Sequence, residues 1–290
     1  MTGTLGRAAS RTTPARDNRT AKAPPSVFIA VGVLAVLVLA ALIPDALAPY
    51  DPLQADPAAA LRPPSWSHPF GTDQLGRDVL SRVIGGARYS LSLGFGASAL
   101  SLIGGIAAGV AAGSLRGAAA QAATRALDVL MAFPEVLLAL ITIAIAGPGQ
   151  LSVILAVGIG GIPGSARLVR SQVLRVRQEP FVRAARELGL SRFEVLWRHI
   201  ALNSLGPALV AGVLHVGTAI IFGAALSFLG LGAVPPAPEW GLMLSQARQY
   251  LSLAPWAGIW PGLFITVTVI AVTVTGRWLQ QRFVNKRSAL

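Results

Sequence analysis

The 290-residue chain has no cysteine, two lysines (Lys22 and Lys286) and three histidines (His68, His199 and His215). Without cysteine there is no disulfide framework, no thiol nucleophile and no cysteine zinc site. Three histidines are too few for an all-histidine metal cage. A phosphate-binding P-loop requires a lysine after glycine to reach the β- and γ-phosphates. Here Lys22 follows Ala21 and Lys286 follows Asn285, so the chain has no such loop. It also has no His-Glu-x-x-His sequence and no Gly-x-Ser-x-Gly elbow. We therefore expect no catalytic site, nucleotide-binding site or cofactor on this chain. Charge is scarce as well. Charged residues make up 12% of the chain, about half the share a wetted soluble domain carries.

What is abundant is apolar: 53% hydrophobic residues, with a mean hydropathy of +0.63. A transmembrane helix needs about 20 mostly apolar residues to cross a hydrocarbon core of about 30 Å. Six stretches qualify: Ser26–Ile43, Ser90–Gly113, Val129–Ala146, Leu151–Ala166, Gly206–Gly230 and Trp256–Thr275. The expected fold is all-α, a polytopic membrane protein. Residues 1–25 are expected to form an unstructured basic tail. Residues 26–43 would be the first span, 44–89 an extracytoplasmic loop with an amphipathic segment, and 90–275 a core of five spans. A loop at 167–205 interrupts that core, and 276–290 form a basic tail. A secretory signal is the alternative for Ser26–Ile43, with Ala41–Ala48 as cleavage region. That apolar run is long for a signal, and five further spans hold the chain in the membrane either way.

Basic residues set the orientation, because basic loops are retained in the cytoplasm. Of 24 Lys and Arg, nineteen fall on the side of the N-terminus, eight of them between Arg167 and Leu205. Only Arg62, Arg77, Arg82, Arg88 and Arg248 fall on the other side. Both termini are therefore expected inside. The net charge of +12 lies in tails and loops between spans, which excludes a nucleic-acid binder.

Ionisable groups inside spans are costly and mark function by default. Two stand out as candidate pathway residues, Glu135 and His215. Glu135 reads either as a pathway or gate residue, or as a carboxylate paired at a helix interface. His215 reads as a neutral imidazole hydrogen-bonded to a neighbouring helix. Pro134 is expected to kink the third span, and Asp128 to sit at that helix's cytoplasmic end. Gly105, Gly109 and Gly113 recur every four residues. They form either a close-packing stripe or a reflection of overall Ala/Gly richness.

The cytoplasmic loop has local structure. Phe181–Gly189 reads as a short helix opened by Pro180 and closed by Gly189. A second helix starts at Ser191, with Glu194 at the capping-box position. Such a knob suits docking into a partner's groove, or lying on anionic lipid. Ala184-Ala185-x-x-x-Gly189 followed by His199-Ile200 resembles the coupling-helix signature of binding-protein-dependent ABC import permeases. In that pattern Glu-Ala-Ala, three residues and Gly are followed, after nine residues, by Ile-x-Leu-Pro. Here Arg183, His199, Ala201 and Leu202 replace the Glu, Ile, Leu and Pro. Two further stretches resemble the dipeptide/oligopeptide/nickel branch and its C-type subunit: Phe70–Asp78 continuing to Leu91, and Leu226–Gly232 through Pro235–Leu244.

The resemblance implies a permease subunit that forms the translocation path with a B-type permease. One or two ABC ATPase subunits would carry ATP and Mg, and an external binding protein would deliver short peptides. Nickel, haem or another small solute is the alternative cargo, and a stand-alone ion-coupled carrier the alternative mechanism. Phe181, Arg183, Ala184, Ala185, Arg186, Glu187, Leu188 and Gly189 would form the ATPase-docking coupling helix. Within it, Ala184, Ala185 and Gly189 would give close approach. Pro235, Pro236, Pro238, Trp240 and Met243 would lie at the outer mouth, either as a gate and binding-protein contact or as a rigid cap over the last two spans. For Asp73, Arg77 and Asp78 a structural ion-pair cluster at the membrane surface is expected. The implied location is the bacterial inner membrane.

Overall fold

The computed structural model describes residues 24–287. The expectation of an unstructured tail over residues 1–23 lies outside them. Among the described residues the chain is helical, with one isolated bridge between Thr72 and Asp78. The helices are α1 (Pro25–Leu42), α2 (Pro44–Leu47), α3 (Val79–Ser114), α4 (Gly117–Ala132), α5 (Glu135–Ala146) and α6 (Gln150–Val176). They continue with α7 (Pro180–Glu187), α8 (Arg192–Glu194), α9 (Leu202–Phe228), α10 (Trp240–Ala247) and α11 (Trp256–Arg287). A π-helical stretch, Val195–Ala201, joins α8 to α9.

Among the described residues five helices are long and apolar enough to cross a membrane: α1, α3, α6, the continuous α8–α9 helix and α11. The sixth expected span is α4 with α5, two helices bent by 86° at Phe133-Pro134. Proline removes a backbone donor and clashes with the preceding turn, and here it breaks the span outright. Asp128 therefore lies on α4, not on the helix of Glu135. It pairs there with Arg167 of α6.

Four boundaries also differ from expectation, one being the fourth span, which runs past Ala166 to Val176 and so through the first part of the segment expected as loop. The second span starts at Val79, eleven residues before Ser90, because Asp78 caps it through its carboxylate and Ser81 N–H (2.7 Å). The second knob helix does not end; it runs on through the π stretch into the fifth span. The last helix runs to Arg287, through most of the segment expected as a tail.

Within lipid, helices associate through close packing of small residues rather than through water exclusion. The α3–α6 pair shows how. An added Cβ at Gly109 would fall 2.6 Å from Val169 Cβ, and one at Gly113 2.6 Å from Val173 Cγ1. One at Gly105 would meet the Ser165 backbone at 3.0 Å. The four-residue glycine stripe is thus the seam along which α6 lies on α3. Around it sit α9, then α11 and α1. Leu37 and Ala40 of α1 are buried in the same core as Val83, Leu91, Ile220 and Trp240.

Candidate functional site

On the arginine-rich side, α7 stands as a separate short helix. Pro180 occupies its first turn, and Gly189 (φ +80°) takes the left-handed position that ends it. Val182 and Ala185, three residues apart, are buried and pack with Val173, Val176, Val195 and Ile200. Ala185, expected beside Ala184 on a docking face, is turned into the chain. The exposed side of α7 carries Phe181, Ala184 and Leu188, at the i, i+3, i+7 spacing of one helical stripe. All three are exposed, Leu188 by 82%. Arg183, Arg186 and Glu187 are exposed around this stripe. Ser191 accepts a hydrogen bond from Glu194 N–H (3.2 Å) as its N-cap, while the Glu194 carboxylate takes Arg198 (2.9 Å). The knob is therefore backed by a core and presents an apolar strip with nothing on it.

At membrane depth, Glu135 and His215 meet in one cavity of ≈ 520 Å³ that also includes Leu102, Pro134, Pro163 and Ser165. The adjacent glycines Gly160 and Gly161 make room for them. An added Cβ would stand 3.0 Å from Glu135 Cγ at the first and 2.8 Å from His215 Nε2 at the second. His215, expected to bond a neighbouring helix through its ring, has no hydrogen-bond partner at its buried Nδ1. The described residues supply no group of three or more metal-ligating side chains.

On the outer side, the loop before α3 and the loop before α10 lock together. Asp73 accepts from the N–H groups of Leu75 and Arg77 (2.9 and 3.0 Å) and from Arg77 Nε (2.7 Å), and it pairs with Arg82 Nε at 3.4 Å. Arg82 Nη1 donates to the carbonyls of Pro52 (3.1 Å) and Pro236 (3.4 Å). Asp78 also holds His68 Nδ1 at 3.0 Å. Trp240 is fully buried and donates through Nε1 to the Val83 carbonyl (2.9 Å). Glu239 caps α10 by accepting from the N–H groups of Gly241 (2.8 Å) and Leu242 (2.7 Å). Burial raises its carboxyl above the ordinary range, and the two backbone hydrogen bonds pull the other way.

Residues 105–288 match the family model for binding-protein-dependent transport system inner membrane components. The chain belongs to this family. The permease is 41% identical over 220 residues to a dipeptide transport system permease protein of Alkalihalophilus pseudofirmus, spanning 76% of this chain and 72% of that one. It is 41% identical over 217 residues to a glutathione transport system permease protein of Pectobacterium atrosepticum, spanning 75% and 72%. Its fold resembles the inward-facing MetNI methionine ABC transporter, with a TM-score of 0.57 at 17% identity. That match covers 70% of the permease and 95% of the other chain. It is thus a helical permease component of a binding-protein-dependent transport system in the inner membrane.

The knob and the two intramembrane ionisable residues are legible in the sequence, but the fold joins residues that lie far apart in it. Glu135 and His215 lie 80 positions apart, and no local signal placed them in one cavity. Arg82 and Glu239 were not singled out as structural groups. Trp240 and Met243, both buried (0% and 5% exposed), anchor α10 to the core. Pro238 lies against Gly85 and Gly86 of α3. Pro235 and Pro236 are exposed.

Proposed function

We propose that this permease is the C-type half of a translocation path completed by a B-type permease. One or two ABC ATPase subunits, carrying ATP and Mg, would power it, and an external binding protein would load it with short peptides. The observation that carries the reading is the exposed Phe181–Ala184–Leu188 stripe on a helix whose other face is packed into the chain's own core. An apolar strip rimmed by charges fits a groove of similar length in a partner. The rigid backing by Val182 and Ala185 lets a pull on the strip reach α6 and α9, which converge on that core. A short peptide is the favoured cargo because the two named relatives are dipeptide and glutathione permeases.

Glu135 and His215 would line the path at mid-membrane, where the α4–α5 break keeps a cavity open beside them. The outer loop Pro235–Leu253 would act as the rigid cap over the last two spans. Its exposed prolines, Pro235 and Pro236, would be the part that meets the binding protein.

Co-purification from detergent extracts tests the docking. Leu188→Glu should lose at least about tenfold of the co-purifying ATPase, since burying one unpaired charge costs more than the ~1.4 kcal/mol that equals one decade of affinity. Ala185→Glu should instead lower the yield of folded permease. The reading fails if no ATPase accompanies the wild type, or if Leu188→Glu retains it fully. ATP-dependent uptake of a labelled dipeptide into proteoliposomes holding the complete system tests the cargo.

A further inference from the structure

Beside the docking stripe, at the level where α3 ends, lies a cavity of ≈ 640 Å³ whose lining includes Arg116, Arg177, Arg186 and Arg192 with Leu115 and Leu196. Among the described residues no carboxylate lines it. The nearby acids that make ion pairs serve other arginines, Asp128 with Arg167 and Glu194 with Arg198. Arg177 forms the half-buried floor and donates to the Gly113 carbonyl at the end of α3, so one guanidinium is fixed in place. Arg116, Arg186 and Arg192 stand exposed around it, brought together from three separate segments of the chain. Burial lowers the pKa of Arg177, and the like charges of Arg116 and Arg186 lower it further. Four cations share one concavity with no anion on its walls.

We propose that this pocket binds a phosphate ester, supplied by the headgroup of an anionic phospholipid in the cytoplasmic leaflet. Guanidinium groups match phosphate oxygens bidentately, so four of them form a cage no lysine cluster reproduces. The position selects the source. Ser114 is the last residue of a membrane-crossing helix, and Leu115, 42% exposed, is the first beyond it. The proposal places the mouth of the pocket at headgroup depth, with exposed Leu115 turned toward the acyl chains. A lipid held there would bridge the end of α3, the end of α6 and the knob, tying the docking helix to the composition of its membrane.

The test uses the complete complex extracted in a neutral detergent and titrated with phosphatidylglycerol or phosphatidylcholine, with bound lipid counted by native mass spectrometry. The expected result is retention of phosphatidylglycerol at least about tenfold above phosphatidylcholine. Retention should be lost in Arg116→Ala/Arg192→Ala and kept in Arg198→Ala, whose arginine lies outside the pocket. Equal retention of the two lipids, or full retention by the double variant, overturns the proposal. Displacement of the lipid by millimolar inorganic phosphate would make free phosphate the occupant and overturn the lipid source. Loss of ATPase co-purification in the double variant with lipid retention unchanged would assign the arginines to a protein contact, and also overturns it.

Discussion

The two ends of the molecule use arginine in opposite ways. On the outer side Arg77 and Arg82 are almost fully buried (2% and 1% exposed), and they share Asp73 between them. Arg82 also donates to two carbonyls from different loops. On the inner side, four arginines line one pocket without an acid on its walls, and three of them are exposed. A buried ion pair is costly to form but costlier to break, because one partner left alone is an uncompensated charge. An exposed arginine risks little. The outer cluster is thus built to hold the loops before α3 and α10 in one geometry, while the inner cluster is left open to something that is not part of this chain.

The sharpest way to break this comparison is to remove the one carboxylate that the outer pair shares. Asp73→Ala leaves two buried guanidiniums facing each other and strips the hydrogen bonds to Leu75 and Arg77 N–H. The expected cost is about 3–5 kcal/mol, read as a large drop in thermal stability in detergent and in membrane yield. If Asp73→Ala unfolds no more easily than wild type, the outer cluster is not what fixes the cap.

How far the sequence anticipates this contrast depends on what each feature needs to be visible. Spans are visible because length and hydropathy are local properties, and the Gly105–Gly109–Gly113 stripe is visible because its period is. The start of α3 at Val79 was hidden by Arg82 and Arg88, which end an apolar run in sequence. In the fold, Arg82 shares Asp73 with Arg77 and donates to two loop carbonyls, so the first turn of α3 holds a buried arginine. Pro134 announces a kink, but no local rule states that the kink reaches 86°. Pro180 and Gly189 mark the ends of α7 correctly. Spacing alone does not settle the turn of Ala185 into the core, since Ala185 shares an i, i+3 face with Val182 and an i, i+4 face with Phe181. The arginine pocket lay beyond reach, because residues 116, 177, 186 and 192 meet only after α3, α6 and α7 are assembled. The excess of eight basic residues in one loop was its only trace.

A smaller effect separates Glu239 from the balanced cluster near it. Its carboxyl is raised by burial, so the folded state holds its proton to higher pH than the unfolded chain does. Stability then falls as pH rises from the ordinary carboxylate value, 4.5, through the raised folded value, and levels off above it. Glu239→Gln should flatten that part of the pH–stability curve while keeping one acceptor for the α10 cap. Thermal melts across pH 4–8, wild type against variant, read this out. A parallel slope in both proteins would mean that another group titrates there.

The smallest expected effect comes from the inner side, where the sign matters more than the size. Arg116 makes no ion pair among the described residues, and its charge opposes that of Arg177. Arg116→Ala should therefore leave stability within about 0.5 kcal/mol of wild type, as exposed substitutions generally do, and any shift should be upward in lipid-free neutral detergent at low salt. Screening offers an independent check, because the Debye length falls from about 30 Å at 0.01 M salt to about 8 Å at 0.15 M. Over that range wild type should gain thermal stability as repulsion among the four arginines is damped, and Arg116→Ala should gain less. Asp73→Ala offers the converse case, since its repulsion is buried and poorly reached by salt. If wild type and Arg116→Ala respond identically, the four inner charges do not sense one another. The two ends would then differ only in burial, not in how their charges are balanced.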